Sequence, residues 1–177
     1  PGKLPYDIEP GLYETATYRE KTGNFPNGCH VCEVEIDPDT GTTEILRYSV
    51  VDDVGTVLNP LLLKGQILGG IAQGVGQALM EDIKYDSESG QMLSGSFMDY
   101  AMPRADVFCD IEIKSNPVPT PTNPLGVKGG GEAGTVGALP AVMNAIADAL
   151  APLNAAPVNM PATPERVWRA IEAAKRL

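Results

Sequence analysis

The sequence predicts an α+β fold, a mixed β-sheet covered by helices, and three observations carry that prediction. Residues 29–36 and 43–51 alternate in the period of two of β-strands, and Asp37-Pro38-Asp39-Thr40-Gly41 between them has the chemistry of a tight turn. Residues 59–80 and the stretch after Gly137 carry apolar side chains at helical spacing. A second alternating run, residues 108–114, supplies a further half-buried strand.

Taken in order, residues 1–28 are rich in Pro, Gly and Tyr and show no sustained period. They read as the tail of a preceding element, with a short strand expected at Thr15-Ala16-Thr17-Tyr18. The hairpin follows, and its second strand runs into Asp52-Asp53-Val54-Gly55. Paired acids at a strand end invite a metal reading, but the expectation is solvated or capping carboxylates, because isolated acids are mostly exposed. Asn59 is a good N-cap and Pro60 suits a first helical position, while Leu63, Ile67, Ile71, Val75 and Leu79 recur every four residues. A buried helix of about five turns is expected.

That helix contains Gly65, Gly69, Gly70, Gly74 and Gly76, and each glycine inside a helix costs about 1 kcal/mol relative to Ala. Gln66, Gly70, Gln73 and Gln77 form a narrow stripe of amides and bare backbone along it. Two readings stand side by side. One is close helix packing with outward glutamines; the other is an amide-rich ligand surface, since Gln offers donor and acceptor together.

Beyond the helix, a turn is expected around Ser89-Gly90 and a strand over residues 92–102. Residues 116–124 hold four prolines in nine positions and predict an extended loop that delivers the chain to Gly126-Val127-Lys128-Gly129-Gly130-Gly131-Glu132-Ala133-Gly134-Thr135. Three glycines in a row let a backbone approach a ligand closely, and Glu132 is the one reactive group beside them. Because Pro140 belongs in a first turn, a helix is expected to begin near Gly137–Leu139, with Glu132 just before its N-terminus as either a base or a cap. Thr163 and Pro164 open a closing helix, docked through Val167, Trp168 and Ile171.

The 177 residues suffice for one core, and 43% hydrophobic content is ordinary for a globular protein. With 13 basic against 23 acidic residues and a formal charge of −10, nucleic acid and anionic membrane are poor partners, since both need a basic footprint. No apolar run is read as approaching the roughly 18–20 residues of a membrane span, and Pro1-Gly2-Lys3-Leu4-Pro5 has no signal core. A cytoplasmic protein is expected, and the missing initiator Met implies an excerpt or a processed piece. Cys29, Cys32 and Cys109 are odd in number, and strand alternation puts Cys29 and Cys32 on opposite faces, which disfavours a metal or redox pair. His30 is the only histidine, so His-based metal sites and Ser-His triads are disfavoured.

Several motifs in order carry a resemblance. They are Val50-Val51-Asp52-Asp53-Val54-Gly55 to Asn59-Pro60, Gly65-Gln66, Gly69-Gly70-Ile71-Ala72-Gln73-Gly74, Ser96-Phe97-Met98-Asp99-Tyr100, Thr122-Asn123-Pro124, and Lys128-Gly129-Gly130-Gly131-Glu132-Ala133-Gly134. From about Gly28 to the closing helix the chain resembles the C-terminal portion of the large subunit of molybdenum hydroxylases. This is the xanthine dehydrogenase, aldehyde oxidase and aerobic carbon monoxide dehydrogenase family. Asn123-Pro124-Leu125-Gly126-Val127-Lys128 leans toward the carbon monoxide dehydrogenase-like branch.

The resemblance implies that residues 28–177 are the C-terminal lobe, half of a two-lobed molybdenum-cofactor-binding domain, with residues 1–27 as a preceding tail. It implies that Glu132 is the active-site base and that Gln66 contacts the pterin, with Gly69, Gly70 and Gln73 on the same helix. Lys128, Gly129, Gly130, Gly131, Gly134 and Thr135 would meet the cofactor through backbone groups, and no residue here would ligate the metal directly. The implied cofactor is molybdenum-molybdopterin in its cytosine dinucleotide form, with iron-sulfur clusters and FAD on partner subunits. The remaining half of the molybdenum subunit is a further implied partner, and the substrate would be a small aldehyde, N-heterocycle or CO. The chain alone is expected to be catalytically silent. Two alternatives come from other classes: a nucleotide- or phosphate-binding module, against which stands the order of Lys128 before the glycines, and a structural domain in which Glu132 merely caps a helix.

Overall fold

A computed structural model describes residues 11, 13–19 and 21–176. Its sheet has three strands, β1 (Asn27–Ile36), β2 (Thr43–Asp53) and β3 (Ile111–Ser115), in the order β1-β2-β3. β1 and β2 form the antiparallel hairpin expected from the turn at residues 37–41, where Gly41 takes φ +73. β3 joins β2 in parallel, which requires a crossover, and α1 (Pro60–Leu79) lies on that connection. The sheet is therefore mixed, and helices α2 (Ala133–Leu150) and α3 (Pro164–Ala174) complete the α+β fold.

The hairpin alternates as its sequence does. His30, Cys32, Val34 and Ile36 are at least half-buried, while Cys29, Val31, Glu33 and Glu35 are exposed. A register slip sets Glu33 against Arg47 but Val34 against Ile45, leaving Leu46 as an extra residue. That bulge turns Ile45 and Tyr48 to the same, inner face. There they meet Ile67, Ile71 and Val75 of α1, Ala138, Val142, Ile146 and Leu150 of α2, and Val167 and Ile171 of α3.

The caps of α1 and α3 form as their residue types dictate. Asn59 Oδ1 accepts from the Leu62 amide at 3.1 Å, and Thr163 Oγ1 accepts from the Arg166 amide at 3.4 Å. Trp168 does not dock with Val167 and Ile171. It stays 39% exposed, and its backbone amide and Cβ lie against Gly41.

Other expectations are corrected. α2 begins at Ala133, several residues before the expected start, and Pro140 sits inside it. Gly134 can be helical because the α1 backbone takes its side-chain space: a Cβ there would lie 2.5 Å from the Ile67 carbonyl oxygen. Pro140 leaves the Val136 carbonyl without an amide partner on an exposed helix face, Val136 being 67% exposed, so water can satisfy it. Over Ala133–Leu153 the chain is long and apolar enough, by length and composition, to cross a membrane, contrary to the sequence reading. In this fold that helix gives a stripe of Gly134, Ala138, Val142, Ile146 and Leu150 to the core.

Residues 92–102 are not a strand. Apart from one bridge between Met92 and Tyr85, they form turns in which Ser96 accepts from the amides of Asp99 and Tyr100, and Phe97 and Met98 point outward. Thr15-Ala16-Thr17-Tyr18 likewise forms no strand, its side chains exposed. The strand expected at residues 108–114 begins only at Ile111, because residues 105–107 form a 3-10 turn that tucks Phe108 against the core.

Candidate functional site

The loop from β3 to α2 is fastened to the end of β2. The Thr56 amide donates to the Gly126 carbonyl at 2.9 Å, and the Lys128 amide donates to the Val54 carbonyl at 2.8 Å. Asn123 clamps Val127 from both sides, its Oδ1 accepting from the amide at 3.1 Å and its Nδ2 donating to the carbonyl at 2.9 Å. The proline-rich stretch thus delivers the glycine run to a fixed place.

Asp53 and Lys128 form the pin of this junction. Lys128 Nζ donates to Asp53 Oδ2 at 2.5 Å, and Asp53 Oδ1 accepts from the amides of Gly55 at 2.8 Å and Val118 at 2.9 Å. The Lys128 ammonium, and then the Val118 and Gly55 amides, hold the Asp53 carboxyl down at about 2. The Lys128 side chain is only 10% exposed and its charge is taken up by Asp53, so only its backbone remains for a ligand. A phosphate-binding reading that needs this lysine therefore loses its cation.

Past the pin, the glycine run tracks along α1. Gly130 lies against Leu63, Gly134 against Gly70, and the Thr135 hydroxyl proton is shared between the Gly70 carbonyl at 3.1 Å and Gln73 Oε1 at 3.0 Å. The two stretches singled out in the sequence are thus neighbours in space.

Their glycines divide into two kinds. A Cβ on Gly70 would approach Gly134 and Thr135 to 3.0 Å, one on Gly74 would approach Ala138 Cβ to 2.6 Å, and one on Gly76 would approach Pro103 to 2.9 Å. Packing accounts for these three, Gly70 and Gly74 against α2 and Gly76 against the loop at Pro103. Gly65, Gly69, Gly129 and Gly131 would meet nothing within 4 Å, so no described residue asks for glycine there. Gln66 and Gln73 are exposed beside Gly65 and Gly69, and a groove of about 240 Å³ between residues 54–63 and 127–130 ends this open side.

Glu132 stands at the N-cap of α2 with helical φ −108 and ψ −8, exposed, and its carboxylate makes no capping hydrogen bond. The reading of Glu132 as a cap loses its support. Glu132 lines instead a cavity of about 340 Å³, whose wall also includes Phe25, Gly28, His30, Asp52, Val136 and Gly137.

The cavity exposes what the sequence reading missed. Asp52 is not solvated: it is 2% exposed, and its Oδ1 lies 3.5 Å from His30 Nε2. His30 Nδ1 lies 2.7 Å from the Tyr48 hydroxyl. Asp52 Oδ2 is buried without a hydrogen-bond partner. Burial first, then Cys32 and Asp52, pushes the Tyr48 hydroxyl up, so it keeps its proton. Burial and Cys109 push the Cys32 thiol up to about 12, which makes it a poor thiolate and a poor redox group.

Gly28 and Gly137 make room for the pair. A Cβ on Gly28, the cross-strand partner of Asp52, would collide with Asp52 Oδ1, and one on Gly137 would collide with the His30 ring. Only part of the signal was in the sequence: alternation turns His30 inward, but a regular hairpin would set Gly28 opposite Val51, and it is the bulge at Leu46 that brings Gly28 opposite Asp52. Asp53 had no such local signal, since its partner lies 75 residues away.

With this geometry in view, comparison with known proteins gives consistent relatives. A family model described as the molybdopterin cofactor-binding domain matches residues 3–108. The nicotine 6-hydroxylase large subunit of Paenarthrobacter nicotinovorans is 41% identical over 168 residues, 95% of this chain and 20% of that protein. The carbon monoxide dehydrogenase large chain of Afipia carboxidovorans is 38% identical over 165 residues, 93% of this chain and 20% of that protein. A crystal structure of the Cu,Mo-CO dehydrogenase in its carbon monoxide reduced state superposes with a TM-score of 0.89 at 36% identity, covering 98% of this chain and 22% of that one. The chain spans about a fifth of the length of the relatives it matches.

Proposed function

The chain belongs to the molybdopterin cofactor-binding domain family, and from that premise we propose that it forms one side of the cofactor site of a molybdenum hydroxylase and supplies its base, Glu132. Residues 28–177 then act as the C-terminal lobe, and the other lobe of the molybdenum subunit faces it. The single observation that carries this reading is the set of glycines with open space before them. Gly65 and Gly69 on α1, and Gly129 and Gly131 on the neighbouring run, sacrifice chain stability and serve no described packing. A flat, polar cofactor approaching bare backbone is what such positions fit.

In this reading Gln66 and Gln73 present amide donors and acceptors to the pterin, with Gly69 and the α1 backbone near Gly70 between them. The backbones of Lys128, Gly129, Gly130 and Gly131 and the first turn of α2, Gly134 and Thr135, hold the rest of the cofactor, in its cytosine dinucleotide form. The positive end of α2 and its unpaired amides lie nearby. When bound, the molybdenum cofactor supplies two-electron redox chemistry. The chain's own contribution is proton transfer and placement: the Glu132 carboxylate, free of any cap, accepts a proton from the attacking oxygen nucleophile and stays as a hydrogen-bond acceptor for substrate or product. The substrate is a small aldehyde, an N-heterocycle or CO, and electrons leave through iron-sulfur and FAD partner subunits. Without those partners the chain turns nothing over.

The test is Glu132→Gln in the complete enzyme. Turnover should be abolished while molybdenum and pterin content stay at the wild-type level. Wild-type turnover, or loss of cofactor in proportion to activity, would contradict the assignment.

A further inference from the structure

We propose that the buried Asp52–His30 pair is the relay that takes the proton collected by Glu132 and so returns its carboxylate to the basic form. The proposal rests on Glu132 acting as the base. A base that accepts one proton per turnover must lose it before the next, and an adjoining buried acceptor provides the route.

The geometry points to this pair on three counts. Glu132, His30 and Asp52 line one cavity of about 340 Å³, large enough for ordered water to connect them. The His30 ring packs on Gly137, five residues from Glu132 along the start of α2, about 7–8 Å at ~1.5 Å per helical residue. Asp52 Oδ2 is the buried acceptor without a partner, and an unpartnered buried carboxylate oxygen is costly unless something reaches it. Two glycines, Gly28 and Gly137, keep the space into which Asp52 and His30 fit.

The step is a proton transfer alone. The Glu132 carboxyl releases one proton through cavity water, and the Asp52 carboxylate, which lines the same cavity, gains it; no electrons move, and solvent receives the proton when the relay resets. Throughout, His30 Nε2 stays beside Asp52 Oδ1 at 3.5 Å, and the Tyr48 hydroxyl donates to His30 Nδ1, so neither contact breaks. Asp52 is thus the relay group, and His30 and Tyr48 are positioning residues. The titratable groups facing the pair are Tyr48 on β2, Cys32 on β1 and Glu132 at the start of α2.

Asp52→Asn and His30→Gln in the complete enzyme test the relay, read as kcat and KM per bound molybdenum across pH, with infrared difference spectra between resting and substrate-reduced enzyme. Asp52→Asn should lower kcat about ten- to a hundredfold with KM unchanged and flatten one limb of the pH profile. The wild-type difference spectrum should show a protonated-carboxyl band, and Asp52→Asn should remove it. His30→Gln should weaken kcat in the same direction and shift that band. Wild-type kcat per molybdenum with the band retained overturns the relay, and so does a loss confined to molybdenum content. If Glu132→Gln keeps turnover, the base assignment fails first; if it abolishes turnover while Asp52→Asn is silent, only the relay fails.

Discussion

Along α1, Gly70, Gly74 and Gly76 each stand where a Cβ would run into a neighbour, whereas Gly65 and Gly69 face open space. One helix thus carries glycine for two reasons. On the packed face it lets α2, and at Gly76 the loop at Pro103, come into close contact. On the open face it costs the helix about 1 kcal/mol per residue and returns nothing to the fold. The glycine run repeats the division: Gly130 and Gly134 are pressed against α1, while Gly129 and Gly131 are not. Glycine that a fold does not need marks where something outside the chain comes close.

The comparison breaks most visibly on the packed side. Gly134→Val puts a branched side chain into the Ile67 carbonyl and the Gly70 backbone, and should destabilise the protein by about 3 kcal/mol, measured by denaturant unfolding. A change under about 0.5 kcal/mol would mean that α1 and α2 are not packed as described.

A middle effect is expected at the pin. Asp53 is held at about 2, below its unfolded value of about 3.9, chiefly by the Lys128 ammonium. A depressed carboxyl contributes stability that is fully present above about pH 4 and is lost as pH falls toward 2. Lys128→Met should therefore move the acid-unfolding midpoint to higher pH, and an unmoved midpoint would show the pair to be idle.

The smallest effect has the opposite sign. Gly65→Ala should stabilise the protein by about 1 kcal/mol, since the new methyl meets no described residue within 4 Å and the helix gains propensity. A loss of stability in thermal unfolding would mean that Gly65 is packed after all.

How much of this was legible in the sequence depended on the range of the forces involved. The hairpin, the Asn59 and Thr163 caps and the every-fourth-residue core of α1 follow from local periods and capping chemistry. The start of α2 did not, because glycines that look like loop become helical only when another helix fills their space. Residues 92–102 alternate well enough for a strand, but a strand needs a partner, and the Ser96–Asp99 turn bonds prevail there. At the site, Glu132 and the glycine run were readable as chemistry. The burial of Asp52 and Asp53 was not, since it depends on His30 across the hairpin and on Lys128 far along the chain.

The central claim is that the open glycine face of α1 is a cofactor surface. Its most direct test is the molybdenum and pterin content of the complete enzyme carrying Gly69→Leu, at a position where a Cβ would meet no described residue within 4 Å. The account predicts a folded protein with molybdenum and pterin largely lost. Full cofactor content in the Gly69→Leu enzyme would contradict it.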